Sequence, residues 1–305
     1  MAFGLASGHP TYSGGFLPDI WSGKLQVKFY KSSVFTDISN TDHESEIKKF
    51  GDEVIIRVIP DITINTYTAG AELTDEIPDD STVSLLIDKG KYFSVIVDDV
   101  MKVQSDLDLL DMFTDDAAEQ MKISIDSDVL NNVYSDASSD NIGTTAGVIS
   151  GSYNLGTTNF MVQVDRTTAI DYLMDANSVL DEQNVPETGR WAVLPNWYCN
   201  LLKKSDLKDA SLMGDSISVA RNGKLGRIDN LTLYKSNNYT AVPDTGHSCY
   251  HVLIGHPSAI TFASQIVKME TLRSEKTFGT KVRGLNVYGY KVVKPEALTD
   301  FYCYK

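Results

Sequence analysis

Cysteine is scarce in this chain, and the three that occur lie far apart. Cys199, Cys249 and Cys303 are spaced by about 50 residues, and no Cys-x-x-Cys pair is present. A small secreted domain held together by disulfides needs a dense and even set of cysteines. The sparse, odd set therefore excludes a disulfide framework and favours a reducing compartment, in which the sequons at Asn230 and Asn238 are chance matches.

Long apolar runs are also missing. No stretch of about 18 apolar residues occurs, so no segment is predicted to span a membrane. The first ten residues carry no Lys or Arg ahead of an apolar stretch, which does not fit a signal peptide.

Positive charge is in deficit, with 27 Lys and Arg against 41 Asp and Glu and a formal net charge of −14. This balance disfavours a sequence-specific reader of nucleic acid, which usually presents a basic face. Twelve acids and only two bases fall between residues 98 and 140, whereas residues 267–305 hold eight bases and four acids. The acidic stretch is interpreted either as a solvated helix face, or as a surface that repels nucleic acid or meets a neighbour's basic segment.

Recognisable catalytic patterns are absent from the sequence. There is no Gly-x-Ser-x-Gly elbow, and residues 222–226 (NGKLG) lack the spacing of both phosphate-binding glycine patterns. Asp98 and Asp99 are adjacent and would point to opposite faces of a strand, so they indicate a solvated strand end rather than an acid/base pair. No catalytic or cofactor-binding residue is assigned, no cofactor is expected, and the chain is predicted not to be an enzyme.

One cluster has the residue types of a metal site. His247, Cys249 and His251 would share one face of a strand and supply three of four tetrahedral ligands, with His256 nearby. Cys249 and His251 also stand where a buried strand begins, and no second ligand pair accompanies them. No metal residue is assigned, and a metal-dependent enzyme built on this cluster is kept as an alternative.

Two β-rich segments predict a long hairpin. In residues 53–67, Val54, Ile56 and Val58 share a face until Pro60 interrupts the strand, and residues 83–97 alternate as a returning strand. The connection between them, from Ala69 to Ser81, holds five acids and no base. Because a lone two-stranded hairpin is marginal in water, it needs a surface to lie on. That surface is either its own domain or a neighbouring subunit.

The remaining pattern predicts an α+β fold, because helices and strands mix without a βαβ rhythm. An apolar stripe predicts a helix over residues 107–136, about 45 Å long at ~1.5 Å per residue. A second helix is predicted over 167–183. Short strands and turns account for most of the rest; the predicted segments are strand 191–194, helical turn 195–202, loop or short helix 205–218, and strands 231–234, 251–254, 258–267 and 282–293.

Four stretches together resemble the major capsid (coat) proteins of tailed bacteriophages, which share the HK97-like fold. They are FGDEVIIRV (50–58) with IDKGKYFSVIVDDV (87–100), SIDSDVLNNVYSDA (124–137), RWAVLPNWYCNLL (190–202) with RNGKLGRIDNLTLYKSNN (221–238), and residues 255–298. The resemblance runs from about residue 22 to the C-terminus. The chain departs from the pattern at Asn230, where such proteins often carry Gly, which affects the local turn.

The resemblance implies a division of the chain into five segments. These are an N-terminal arm (1–50), an extended E-loop hairpin (51–98), a P-domain with a long spine helix (99–164), an A-domain (165–262), and C-terminal strands that return to the P-domain (263–305). Only about 22 residues precede the matching region, so a fused scaffolding domain is not expected.

The resemblance also implies a function in the virion. The chain would assemble with itself into hexameric and pentameric capsomers that form an icosahedral phage head around double-stranded DNA, bound non-specifically. Expected partners are a portal protein, a scaffolding protein in trans and a decoration protein, with assembly in the host cytoplasm and no membrane contact. An encapsulin-like nanocompartment shell is the alternative within the same fold.

Overall fold

The computed structural model describes residues 30–42, 53–60, 62–70, 72, 75–77, 81–100, 109–205, 226–275 and 277–305. Most of the predicted N-terminal arm, and residues 206–225 with most of the predicted loop at 205–218, lie outside the described residues.

Four helices and twelve strands form the described part of the chain. The helices are α1 Phe35–Ile38, α2 Leu109–Leu130, α3 Ala169–Glu182 and α4 Asn196–Lys204. The strands are β1 Glu53–Val58, β2 Ser81–Leu86, β3 Lys89–Asp98, β4 Val162–Gln163, β5 Trp191–Pro195, β6 Arg227–Ile228, β7 Leu231–Ser236, β8 Val242–Asp244, β9 His247–Gly255, β10 Ile260–Arg273, β11 Gly279–Val292 and β12 Leu298–Tyr304.

A seven-stranded mixed sheet holds the main core. Its order is β4-β12-β9-β5-β7-β6, with β8 added alongside β9. All five residues of β5 (WAVLP) are buried, as are six of the seven residues of β12. Strands covered on both faces read as continuous apolar runs, which is why residues 191–195 show no alternation. Helices α3 and α4 pack against this sheet, and the Tyr198 hydroxyl of α4 donates to the Ala169 carbonyl at the start of α3.

A long three-stranded antiparallel sheet, in the order β10-β11-β3, extends beyond this core. Strands β10 and β11 have 14 residues each, about 45 Å at ~3.3 Å per residue. Helix α2 lies along one face of this sheet, where Phe93, Met121, Ile125 and Met269 line a shared apolar groove.

The predicted strand over residues 83–97 is wrong as a single element. One strand ends at Leu86 and a second begins at Lys89. Strand β2 pairs with β1 in a separate two-stranded sheet, while β3 pairs with β11. Both parts alternate as predicted, which hides the break. The two strands belong to different sheets, and sequence periodicity carries no information on which partner a strand pairs with.

The predicted end of the first helix, at Asp136, is also wrong. Helix α2 stops at Leu130 and is followed by a short 3₁₀ turn over Val133–Asp136. The side-chain amides of Asn131 and Asn132 donate to the carbonyls of Ser127 and Asp128, at 2.5 and 2.7 Å. The Ser127 carbonyl also keeps the backbone amide of Asn131, whereas the Asn132 amide shifts to the Val129 carbonyl, so the helical hydrogen-bond pattern ends here although the apolar stripe continues to Val133.

The other predicted elements are confirmed with ends that differ by at most four residues, except that β10 runs six residues past its predicted end. The structure has helices at 169–182 and 196–204 and strands at 191–195, 231–236, 247–255, 260–273 and 279–292. Strand β12 is not predicted from the sequence, yet it lies between β4 and β9. Thr299 and Asp300 are buried in β12, and these polar residues break the apolar pattern that would mark a central strand. Among the described residues, no helix is both long and apolar enough to cross a bilayer.

Candidate assembly surface

The β1–β2 hairpin has one packed face and one exposed face, and the exposed face mixes polar side chains with Ile55 and Leu86. Residues directly opposite each other in an antiparallel pair share a face, and the register places Val54 opposite Leu85 and Ile56 opposite Val83. Leu85 is fully buried against Ala263 of β10, with Val54 and Ile56 packed around them. On the other face, Ile55 is 62% exposed. The predicted shared face of Val54, Ile56 and Val58 is confirmed.

The described residues between β1 and β2 expose still more apolar surface. The exposed fractions are 91% for Ile59, 65% for Ile62, 89% for Ile64, 71% for Tyr67 and 89% for Ile77. A large aliphatic side chain gains roughly 1.5–3 kcal/mol when it moves from water into a packed interior. A cluster of this kind on one element marks an interaction surface rather than scattered exposed residues.

A single carboxylate bridges the two sides of this connection. Oxygen Oε2 of Glu76 accepts a hydrogen bond from the Thr63 amide at 2.9 Å, and Oε1 accepts one from the Thr63 hydroxyl at 3.3 Å. Glu72, Asp75 and Glu76 are all exposed. The outer part of the hairpin is therefore both apolar and acidic.

The base of the hairpin, by contrast, is tightly fitted. A Cβ atom built on Gly289 of β11 would lie 2.0 Å from the Leu86 carbonyl oxygen, so only glycine allows β2 to cross β11 here. Beside it, the hydroxyl of the buried Tyr288 donates to Asp128 Oδ2 at 2.9 Å. Burial is the main cause that raises the pKa of Tyr288 well above its usual value, and burial also raises the pKa of Tyr290 to about 12.

The segment at residues 30–42 is held to α2 by a buried carboxylate. Asp126 accepts hydrogen bonds from the amides of Val34 at 2.7 Å and Phe35 at 2.8 Å, and from the side-chain amide of Asn238. Burial raises the pKa of Asp126, and the three donors oppose that shift because they favour the ionised form. The Tyr30 hydroxyl donates to Asp116 of the same helix at 2.9 Å, so this segment runs along α2.

One face of the three-stranded sheet, called the outer face here, carries a cluster of ion-paired side chains. Glu270 pairs with Lys268 on its own strand and with Arg283 on β11, at 2.7 Å to the guanidinium. Hydrogen bonds from Lys268 and then from Arg283 lower the pKa of Glu270. Exposed apolar side chains surround this group, with Tyr92 80%, Ile96 49% and Leu272 41% exposed.

The His247, Cys249 and His251 side chains each have partners of their own. His251 Nδ1 lies 2.7 Å from Asp300 Oδ2, and its ring stacks on Tyr134 with a centroid distance of 3.7 Å. The His247 ring packs on Tyr304 at 4.2 Å. Cys249 is buried, and burial raises its pKa. Within the described ranges, no group of three or more His, Cys, Asp or Glu residues is placed to hold a metal ion.

The other acids considered from the sequence have structural contacts. Asp98 Oδ1 accepts a hydrogen bond from the Val100 amide at 2.8 Å, and Asp99 forms an ion pair with Arg273 at 2.8 Å. Residues 222–225 of the glycine loop lie outside the described residues. Gly226 adopts a positive φ of 60°, as a tight turn requires, and Arg227 is exposed.

Sequence reasoning missed the Lys268–Glu270–Arg283 group. Lys268 and Glu270 are two residues apart and share a face of β10, and Arg283 lies directly opposite Glu270 on β11. A prediction that β10 and β11 pair as a hairpin would have placed these three charges together. The missing step was the register, which depends on the turn.

Comparison with known proteins shows which family the chain belongs to. The family model described as phage capsid protein matches residues 81–301, well over half of the 305-residue chain. The chain belongs to the phage capsid protein family. The match spans β2 through most of β12 and so includes both the long sheet and the main core.

Solved structures of phage origin share the fold of this capsid protein. A structure from Mycobacterium phage Che8 superposes with a TM-score of 0.78 at 28% identity, over 95% of this chain and 98% of that chain. The capsid structure of cyanophage P-SCSP1u gives 0.73 at 16% identity, covering 94% and 93%. The capsid of Ralstonia phage GP4 gives 0.66 at 14% identity, covering 100% and 98%. A search of curated proteins gave no match.

The predicted α+β fold of the tailed-phage coat proteins is confirmed by these comparisons. The chain is a major capsid protein that forms the shell of a phage head with other copies of itself.

Proposed function

We propose that this capsid protein assembles into hexameric and pentameric capsomers that close into an icosahedral head around double-stranded DNA. The observation that carries the proposal is the β1–β2 hairpin, whose outer residues expose Ile59, Ile64 and Ile77 by about nine tenths. Obligate interfaces bury apolar surface of this kind between subunits. Flat subunits repeated around five- and six-fold axes give closed shells.

We also propose that the role of the chain is structural rather than catalytic. Three acids with shifted pKa values support this reading because each makes a contact that holds the fold. Asp126 anchors residues 34–35, Asp300 holds His251, and Glu182 accepts hydrogen bonds from the amides of Ile149 and Ser150 at 2.8 and 3.1 Å.

The acidic stretch between residues 98 and 140 is proposed to face the inside of the head. Exposed acids such as Asp111 and Asp115 on α2 would resist adhesion to the phosphates of packaged DNA. The five segments inferred from the resemblance are carried forward in this proposal. So are assembly in the host cytoplasm and interaction with a portal protein, a scaffolding protein in trans and a decoration protein.

Electron microscopy of the purified chain and of an Ile64→Asp variant tests the proposal. The wild-type chain, supplied with its scaffolding protein where one is required, is expected to form closed particles or capsomer rings. Ile64→Asp is expected to reduce particle yield at least about tenfold, because a charge would be buried without a partner. The matched control Ile64→Val keeps an apolar side chain and should assemble like the wild type.

A wild-type chain that remains a small monomer under all assembly conditions would contradict the proposal. Particles from infected cells are expected to contain nuclease-protected double-stranded DNA. Particles that instead enclose one protein cargo would keep the shell but replace the DNA with the contents of a nanocompartment.

A further inference from the structure

The connection between β9 and β10, residues 256–259, joins the seven-stranded sheet to the three-stranded sheet. Backbone hydrogen bonds hold it in place. The Ala259 amide donates to the His256 carbonyl at 2.9 Å, and the His256 amide donates to the Ala297 carbonyl at 3.0 Å. The carbonyl of Ala259, which is fully buried, accepts a hydrogen bond from the Val293 amide at 2.8 Å. The crossing from β9 to β10 is therefore bonded to the returning crossing from β11 to β12.

The His256 side chain closes this connection by accepting a hydrogen bond. Its Nδ1 atom accepts one from the Ser258 amide at 3.2 Å, and the Ser258 hydroxyl lies 2.8 Å from the same nitrogen. A backbone amide can only donate, so Nδ1 carries no proton in this arrangement. The ring proton is then on Nε2, and the ring donates a hydrogen bond to the Thr188 carbonyl in the segment before β5. His256 is therefore held as one neutral tautomer.

The surroundings of His256 disfavour a second proton on the ring. Burial is the main cause that lowers the pKa of His256 below its usual value. The hydrogen bond to Thr188 opposes this shift, whereas the positive charges of Arg190 and Lys294 lower the pKa further. The guanidinium of Arg190 is itself paired with Asp181 at 2.6 Å. Two cations from two different segments thus act on the ring.

Acids of the same segments lie at the surface. Glu187, before β5, and Glu296, in the turn before β12, are both exposed. A proton on Nδ1 would therefore add a positive charge beside two cations. It would also remove the acceptor of the Ser258 amide, because both ring nitrogens would then be donors.

We propose that His256 is a proton-sensitive switch in the connection between the two sheets. The neutral ring holds residues 256–259 in place, and protonation in mild acid releases the Ser258 amide and loosens the crossing. The three-stranded sheet is then less firmly fixed to the seven-stranded sheet. The switch operates within a single subunit and does not depend on the proposed function.

The pH range follows from the direction of the shift. The pKa of His256 in the folded chain lies below the unfolded value of about 6.5. The unfolded chain therefore binds the proton more readily, so the stabilisation is complete above about pH 6.5 and is lost as the pH falls through the folded value.

Nuclear magnetic resonance of the histidine ring nitrogens in the unassembled full-length chain tests the switch directly. The His256 signals, identified by their absence from the His256→Asn spectrum, are expected to show a neutral ring with its proton on Nε2 at neutral pH. The titration midpoint should lie below about 6.5, and Lys294→Gln should move it upwards because one cation is removed. The opposite tautomer, or a midpoint at or above the unfolded value, overturns the proposal.

Hydrogen exchange of the same unassembled chain measures the loosening. His256→Asn keeps an oxygen that accepts from the amide two residues further on, as in an Asx turn, and it does not titrate. Between about pH 7.5 and about pH 5, protection of the amides of Ser258 and Ala259 is expected to fall about fivefold in the wild type, beyond the change in intrinsic rates, and to stay constant in His256→Asn. His247→Asn, at an exposed histidine of β9, is the matched control and should lose protection like the wild type.

An equal loss of protection in the wild type and in His256→Asn overturns the switch. Circular dichroism at neutral pH checks that each variant folds. If His256→Asn does not fold, the ring-nitrogen titration of the wild type decides alone, with the His256 signals then assigned through their contacts to Ser258. Failure of the chain to form shells would contradict the proposed function and leave the switch in place.

Discussion

At the scale of single residues, the turn between β6 and β7 shows how one position accommodates a change of residue type. Asp229 and Asn230 have positive φ angles of 44° and 64° and form the two-residue connection of this hairpin. Such a turn favours Asn, Asp and Gly because these residues tolerate the left-handed region. The departure at Asn230 from the glycine expected by resemblance therefore leaves the turn geometry intact.

Substitutions at Asn230 should separate backbone strain from loss of a contact. Asn230→Val is expected to lower the free energy of unfolding by about 1–2 kcal/mol, because a β-branched residue resists a positive φ. Asn230→Gly should remain close to the wild type. Urea unfolding of the unassembled chain measures both, with Thr232→Val at an exposed strand position as the control. Equal losses for Val and Gly would instead point to the hydrogen bond from Arg227 to Asn230.

Asp165 gives a residue-scale prediction for pH. Its carboxylate accepts hydrogen bonds from the amides of Thr167 at 2.7 Å and Thr168 at 3.0 Å just before α3, and it also interacts with the Thr167 hydroxyl. These contacts, led by the Thr167 side chain, lower the pKa of Asp165 to about 2. Because the folded pKa lies below the unfolded value of about 3.9, the stabilisation is present above about pH 4 and is lost as pH falls through 2.

The Asp165→Asn variant should therefore melt at a lower temperature than the wild type at pH 7, and the difference should vanish towards pH 2. Thermal unfolding between pH 2 and 7 provides the comparison. Asp165→Ser keeps a capping oxygen without a charge, so it should recover part of the loss with no pH dependence in this range. A difference that is constant with pH would show that the charge of Asp165 does not contribute.

At the scale of elements, the crossing of β2 over β11 fixes where the hairpin leaves the body of the subunit. Gly289→Ala is expected to cost about 1–3 kcal/mol, because its Cβ would meet the Leu86 carbonyl and force the hairpin base to shift. Gly90→Ala, on neighbouring β3, is the control because a Cβ there meets nothing within 4 Å. Denaturant unfolding and particle yield should both decline for Gly289→Ala, and equal behaviour of the two variants would rule out this crossing as a constraint.

Elements with a local signal could be predicted from the sequence. The apolar stripe that includes Leu173 and Leu180 predicted α3, and the continuous apolar run from Trp191 predicted β5. Both could be predicted because the spacing of apolar residues reflects whether one face or both faces of an element are buried. Features that depend on distant partners could not be predicted in this way. The break after Leu86 and the central place of β12 follow from which strand each pairs with, and local spacing does not specify that choice.

The candidate assembly surface could also be predicted only in part. The hairpin and its acidic connection were visible in the sequence, since alternating residues and a run of five acids are local patterns. The packing of Leu85 on Ala263 could not be predicted, and neither could the ion pairs of Glu270. Both depend on the register of strands that lie far apart in the chain. The end of α2 was missed because Asn131 and Asn132 act through their side chains rather than through the apolar pattern.

At the scale of the whole molecule, the capsid subunit combines a well-packed body with a poorly supported hairpin. The seven-stranded sheet buries residues such as Trp191 and Phe301 completely or almost completely, while Ile59, Ile64 and Ile77 are about nine tenths exposed. Regions with few buried contacts open at low free-energy cost. We therefore expect the body to be stable alone and the hairpin to gain its order from contact with other copies.

Hydrogen–deuterium exchange on the unassembled subunit and on assembled shells tests this central claim most directly. Amides in residues 59–77 are expected to exchange at least about a hundredfold more slowly in shells, which corresponds to about 2.7 kcal/mol of added protection. Amides of β5 and β9 should exchange slowly in both states. Equal exchange of residues 59–77 before and after assembly would contradict the account, because the hairpin would then owe its order to its own subunit.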